Sequence, residues 1–200
     1  MSARYPDEVI ELRLKRRRLG GTVRILPARY SEAPLKAVRS NSRFSKDDPS
    51  YPAVLYLAHD FQTAFLETLV RDRFVSQMNN CEIPLKEVLD RTVVTISKSP
   101  IRLLNLIDLT GDGCAIIRAP TDAVQAANHH EGRELARALH DQHESLDGII
   151  YESRLDSKRC YAIFERATDR LHHEPLIPLK DHADIEAVLD KYRVELTQHR

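Results

Sequence analysis

Three side chains within one short stretch have the types needed to hold and activate a phosphorylated sugar ligand. Arg43 lies on a polar loop, Tyr56 sits in the apolar run Val54-Leu55-Tyr56-Leu57-Ala58, and Glu67 follows eleven residues later in a segment of helical pattern. An arginine is a planar, permanently charged clamp for phosphate. A tyrosine ring can stack on a heterocycle. Glu67 is set among Ala64, Phe65, Leu66, Leu69 and Val70, and a charge in such wrapping is costly unless it is paired or used. A carboxylate of that kind can bind sugar hydroxyls and stabilise an oxocarbenium-like centre. These are the parts needed to cleave an N-glycosidic bond in a nucleotide. The same spacing also suits a core Tyr56, an exposed helical Glu67 and a solvated Arg43.

Other chemistries leave weaker traces. Nine histidines include His129-His130, His140, His143 and His172-His173. None falls in H-E-x-x-H or another metal-ligand pattern, so no metal is expected. A metal-dependent hydrolase built on these histidines is a distant reading. No G-x-S-x-G elbow, P-loop or G-x-G-x-x-G occurs. With only six glycines, phosphates would have to be held by side chains such as arginine. Cys81, Cys114 and Cys160 are odd in number and widely spaced, which argues against a disulfide framework or a cysteine zinc site.

The elements that must position Arg43, Tyr56 and Glu67 follow from pattern. Glu8 to Leu14 suits a short helix, broken by Gly20-Gly21. Thr22 to Leu26 reads as a strand stopped by Pro27, and Arg29 to Tyr51 as a long irregular segment, a type that is commonly functional. Ala53 to Leu57 reads as a strand, and Asp60 as the N-cap of a helix from Phe61 to about Phe74. Downstream, Pro84 to Asp90 suits a helical turn, Thr92 to Ile96 and Ile101 to Leu109 strands, and Gly111 to Gly113 a turn. Thr121 to Ala127 and Gly132 to His143 suit helices, and Gly148 to Tyr151 and Cys160 to Phe164 two further strands. After Pro175 and Pro178, the stripe Ile185, Val188, Leu189, Tyr192 and Leu196 predicts a C-terminal helix. Strands and helices do not alternate regularly, so the class is α+β, in one domain.

Composition bounds the rest. The chain has 200 residues, 42% hydrophobic and 30% charged, with thirty basic and thirty acidic residues. The sequence pI of about 7.1 lacks the basic excess usual for nucleic-acid binders, so no direct nucleic-acid contact is expected. The run Lys15-Arg16-Arg17-Arg18 reads as a solvated basic face. No apolar run approaches a membrane span, and the N-terminus lacks a signal-type apolar region. A cytoplasmic location is expected.

Two ordered pieces then carry a resemblance. The first is Ser42-Arg43-Phe44, Val54-Leu55-Tyr56-Leu57-Ala58 and Ala64-Phe65-Leu66-Glu67. The second is Asp147-Gly148-Ile149-Ile150-Tyr151-Glu152-Ser153 followed by Cys160 to Phe164. In order and separation they resemble the RES domain, a family named for its Arg, Glu and Ser. Where the family often has Gly-Gly-Arg-Trp-Asn, this chain has Asn41-Ser42-Arg43-Phe44-Ser45.

The resemblance implies a fold similar to ADP-ribosylating toxins, with a mixed or antiparallel sheet core, and an NAD+-degrading toxin of a bacterial type II toxin–antitoxin system. It implies attack on the nicotinamide–ribose bond by inorganic phosphate or water, and an Xre-type antitoxin as partner. A protein mono-ADP-ribosyltransferase is an alternative. A non-catalytic protein- or nucleic-acid-binding module is another, from a different class. Residue by residue, the resemblance assigns Arg43, Tyr56, Glu67 and Ser153 to catalysis. It assigns Arg24, Arg43, Phe44, Tyr56, Glu67 and Ser153 to NAD+, with Arg29 competing with Arg24 for the second arginine. In this reading residues 1–20 are an N-terminal extension and 21–170 the domain. Residues 171–200 are a linker and a helix that packs on the domain or joins a homodimer interface.

Overall fold

The computed structural model describes residues 4–71, 73, 81–100 and 102–198. Helix α1 spans Asp7–Glu11, and strands β1 and β2 span Leu14–Arg17 and Val23–Pro27. The segment to Tyr51 is largely irregular. Strand β3, Val54–Ala58, leads into helix α2, Phe61–Phe65. Then come β4 (Cys81–Pro84), α3 (Leu85–Leu89), β5 (Arg91–Thr95) and β6 (Leu104–Asp108). Two short helices, α4 (Gly113–Ile116) and α5 (Asp122–Gln125), precede α6 (His130–Gln142). Strands β7 (Gly148–Glu152), β8 (Arg159–Phe164) and β9 (Ile177–Pro178), helix α7 (Ile185–Lys191) and strand β10 (Val194–Thr197) complete the chain.

Eight strands form one mixed sheet in the order β1-β6-β7-β8-β3-β2-β5-β9. All neighbours are antiparallel except β6 and β7. β10 pairs in parallel with β4 as a separate two-stranded sheet. The α+β class expected from the pattern is the class observed.

Strand alternation sends side chains to two faces. Leu55, Leu57, Ile150, Tyr161 and Ile163 pack on one face, under the chain that carries Leu19, Ala167 and Leu171. Val54, Ile149, Ala162 and Phe164 pack on the other, against Phe65 of α2 and Leu135 and Leu139 of α6. Tyr56, Tyr151 and Cys160 share the period of this second face. The ladder brings them together, since Tyr56 sits opposite Ala162 and Tyr151 opposite Cys160.

Four expectations need correction. The first twenty residues are no peripheral extension: β1 pairs over four residues with β6, and Tyr5 is buried in the core. The basic run therefore includes an edge strand, where charged side chains discourage pairing with other molecules. The first helix ends at Glu11 rather than Leu14. The C-terminal helix is shorter than its stripe: it ends at Lys191, Arg193 turns the chain at positive φ, and Leu196 lies in β10. The helix predicted from Phe61 runs through α2 and changes character at Leu66. Phe74 and Ile101, at the ends of two predicted elements, lie outside the described residues.

Candidate active site

Asp60 caps α2, accepting from the Thr63 amide at 2.9 Å, as its residue type predicts. Past Phe65 the helix widens into a π-turn over Leu66–Val70, closed by the Arg71 amide donating to the Leu66 carbonyl. Such turns are rare and concentrate at functional sites. This one carries Glu67.

Ser153 lies at the end of β7, 86 residues downstream, and its hydroxyl donates to Glu67 Oε1 at 2.7 Å. The Leu155 amide donates to the same hydroxyl oxygen at 3.1 Å, which orients the serine proton toward the carboxylate. Arg71 Nη1 stands 3.6 Å from Glu67 Oε2. Glu67 thus has a buried neutral donor on one oxygen and a half-exposed cation near the other, while its own side chain keeps 19% exposure.

The Arg43 loop is fastened from three sides. The Tyr56 hydroxyl accepts from the Phe44 amide at 2.9 Å and shares a 3.0 Å hydrogen bond with Ser42. Arg133 Nε donates to the Ser42 carbonyl at 2.9 Å. Helix α6 crosses so close that a Cβ on Gly132 would lie 2.5 Å from the Arg43 carbonyl, so only glycine fits there. Arg43 itself is buried and donates from Nη1 to the Ala126 carbonyl at 3.0 Å. Burial first, and then Arg154, lower its pKa.

Positive charge gathers around this point. His129, at the entry to α6, is pushed down to about 4 by burial and then by Arg43, Arg71, Arg133 and Arg154. A neutral histidine among four arginines describes a field suited to an oxyanion. Beside Glu67, a cavity of about 180 Å³ is lined by Arg24, Tyr56, Glu67, Thr68, Tyr151 and Cys160, among others. Burial raises the pKa of Tyr56, Tyr151 and Cys160, so all three are neutral walls. Arg24, lowered to about 10 by burial, donates to the Pro34 carbonyl at 3.0 Å. Glu67 therefore lines a cavity with aromatic walls and lies 3.6 Å from Arg71, one of the arginines that act on His129.

The structure brings Arg43, Tyr56, Glu67 and Ser153 into one constellation, with Arg24 on the same cavity. One side chain sits differently from the expectation. Phe44 is completely buried, edge-on to Tyr151 at 5.1 Å, so it supports the loop from beneath and presents no face to a ligand. The Tyr56 hydroxyl is consumed by the loop, leaving only its ring to the cavity. The sequence reading missed Arg71, Arg133 and Arg154, and it weighed His129 only as a metal ligand. Arg71 carried a usable signal, four residues after Glu67 on one helix; the others come together only through the tertiary fold. Among the described residues no three His, Cys, Asp or Glu are grouped to hold a metal ion, and no helix is long and apolar enough to cross a membrane.

The family profile described as "RES domain" matches residues 22–188, most of the chain and all of these site residues. The chain belongs to the RES domain family. A relative from Sinorhizobium fredii, described as "Probable toxin y4kH", is 34% identical over 128 residues, 64% of this chain and 99% of the relative. A crystal structure of the M. tuberculosis MbcT-MbcA toxin-antitoxin complex contains a chain that superposes with a TM-score of 0.65. That match covers 93% of this RES-domain chain and 95% of the other, at 15% identity. At that identity the likeness shows a shared fold.

Proposed function

We propose that this RES-domain protein breaks the nicotinamide–ribose bond of NAD+ and serves as the toxin of a toxin–antitoxin pair. The observation that carries the reaction is the Ser153–Glu67 hydrogen bond, 2.7 Å long, at a cavity walled by Tyr56 and Tyr151 and flanked by buried Arg43. Nicotinamide leaves with the electrons of the C–N bond, and positive charge develops at the anomeric carbon. A carboxylate held at that carbon stabilises the charge without reorganising. Ser153 and Arg71 keep Glu67 aimed, while the rings of Tyr56 and Tyr151 offer apolar walls to the leaving base. Arg43 and Arg24 are the cations for the pyrophosphate. The acceptor oxygen comes from phosphate or water, and the arginines around His129 suit phosphate. The relative described as a probable toxin, and the toxin–antitoxin complex that shares the fold, support the biological role. An Xre-type antitoxin, as the family resemblance implies, is the partner we propose.

The test is release of free nicotinamide from NAD+, with and without phosphate, by wild-type, Glu67→Gln and Arg43→Ala proteins of verified fold. Wild-type release should fall at least about a hundredfold in Glu67→Gln, the scale of losing one electrostatic stabiliser. Absence of release under both conditions sinks the reaction. Full activity in both variants sinks the assignment of roles. The sugar product, a 1-phosphate, free ADP-ribose or a modified protein, identifies the acceptor.

A further inference from the structure

The cleft continues beyond the catalytic cavity. Arg24, Ile25 and Thr68 line both that cavity and a larger one of about 650 Å³. The larger cavity carries five basic side chains, Arg24, Arg29, Lys36, Arg39 and Arg91, against one carboxylate, Glu32. Most of these cations are held without being neutralised. Arg24 donates to the Pro34 and Lys36 carbonyls at 3.0 and 3.3 Å, and Arg39 Nε donates to the Tyr51 carbonyl at 2.8 Å. Arg29 lies over the Tyr30 ring, 4.9 Å from its centroid, and Tyr30 is 53% exposed. Arg91 reaches Glu87 at 3.3 Å, but its buried Nε has no acceptor among the described residues.

A dinucleotide cleaved at Glu67, with its pyrophosphate passing Arg24, extends its adenosine end into this outer cavity. In doubly wound dinucleotide folds an unmodified adenosine ribose commonly meets a carboxylate at its 2′-hydroxyl, whereas an arginine accommodates a 2′-phosphate; in this different fold the same chemistry sets five cations against the single carboxylate of Glu32. Tyr30 adds an exposed ring on which a base can stack. We infer that the outer cavity is a subsite for adenosine 2′-phosphate, and that the protein consumes NADP+ at least as well as NAD+. This rests on the reading of Glu67 as the residue that cleaves nicotinamide dinucleotides. The bond change is the same: the C–N bond breaks, nicotinamide takes its electron pair, and the acceptor oxygen bonds to the anomeric carbon and releases its proton. The 2′-phosphate is untouched and stays on the product.

Two measurements test the subsite. The first compares kcat/KM for nicotinamide release from NADP+ and NAD+ in wild-type, Arg29→Gln and Arg39→Gln proteins. A wild-type ratio of one or more, falling at least tenfold in the variants, is expected. A ratio below one, or one that both substitutions leave unchanged, overturns the inference. The second does not depend on turnover: calorimetric binding of adenosine 2′,5′-bisphosphate against adenosine 5′-phosphate. At least tenfold tighter binding of the bisphosphate is expected, and equal affinity overturns the subsite. Cleavage of neither dinucleotide counts against the proposed reaction, and the binding comparison still decides the subsite.

Discussion

Glu67 is governed by two unequal partners. The Ser153 hydroxyl is buried and its proton has one acceptor direction, whereas Arg71 is half exposed at 3.6 Å and screened by solvent. Hydrogen bonds to charged groups contribute roughly 1.5–3 kcal/mol. Ser153→Ala should therefore lower kcat about 10- to 100-fold with a smaller change in KM, because it loosens the aim of Glu67, which matters most as charge develops at the anomeric carbon. A loss confined to KM would instead put Ser153 in direct contact with substrate. His129 gives a second reading at this scale. Burial, then Arg43, depress its pKa from an ordinary 6.5 to about 4, so on acidification the unfolded chain takes up this proton first. Its contribution to stability is whole above about pH 6.5, is lost progressively between about 6.5 and 4, and then levels. Imidazole NMR shifts should show neutral His129 down to about pH 4. If phosphate is the acceptor, saturating phosphate should raise that value, whereas titration near 6.5 without phosphate would mean that the arginines do not surround it.

At the scale of elements, the π-turn that carries Glu67 depends on how α2 begins. Asp60 Oδ1 accepts from both the amide and the hydroxyl of Thr63 at 2.9 Å, and its other oxygen meets Lys158 at 2.6 Å. The ion pair is more than a third exposed on both sides, where such pairs add little; the cap is worth about 1 kcal/mol. Asp60→Ala should thus cost about 1 kcal/mol in denaturant unfolding, and Asp60→Asn should recover most of it, since asparagine caps as well. Equal losses in the two would transfer the effect to Lys158. This cap was legible because residue type and position alone specify it. So were β3, β7, β8 and α6, whose apolar periods are strong, and the Arg43, Glu67 and Ser153 set, which an ordered family pattern marks. The π-turn was not legible, because one extra residue per turn leaves no compositional trace. Nor was the Tyr56 hydroxyl's role, because Ser42 and the Phe44 amide reach it only once β3 and the loop are folded. Leu196 kept the helical stripe in phase by coincidence, and only the positive φ of Arg193 separates helix from strand.

At the scale of the molecule, the boundaries of the family match and of the folding unit differ. The match ends at residues 22 and 188, yet both flanks complete buried structure. Removing residues before 22 strips β1 from β6, whose Leu104, Leu106 and Ile107 are fully buried. It also removes the buried Tyr5 side chain and Arg13, which donates to the Asp108 and Thr110 carbonyls at 2.9 Å. Removing residues after 188 takes β10 from β4, where Ile83 is fully buried. A newly exposed apolar strand edge is a template for association. A chain trimmed to residues 22–188 should therefore melt well below the full chain and form concentration-dependent aggregates, even though it keeps Arg43, Tyr56, Glu67 and Ser153. Restoring residues 1–21 alone should remove most of the aggregation, because β6 belongs to the eight-stranded sheet and β4 only to the small one. Thermal melts and light scattering on the three chain lengths check this. A trimmed chain as stable and monodisperse as the full one would mean that the flanks merely rest on a self-sufficient domain.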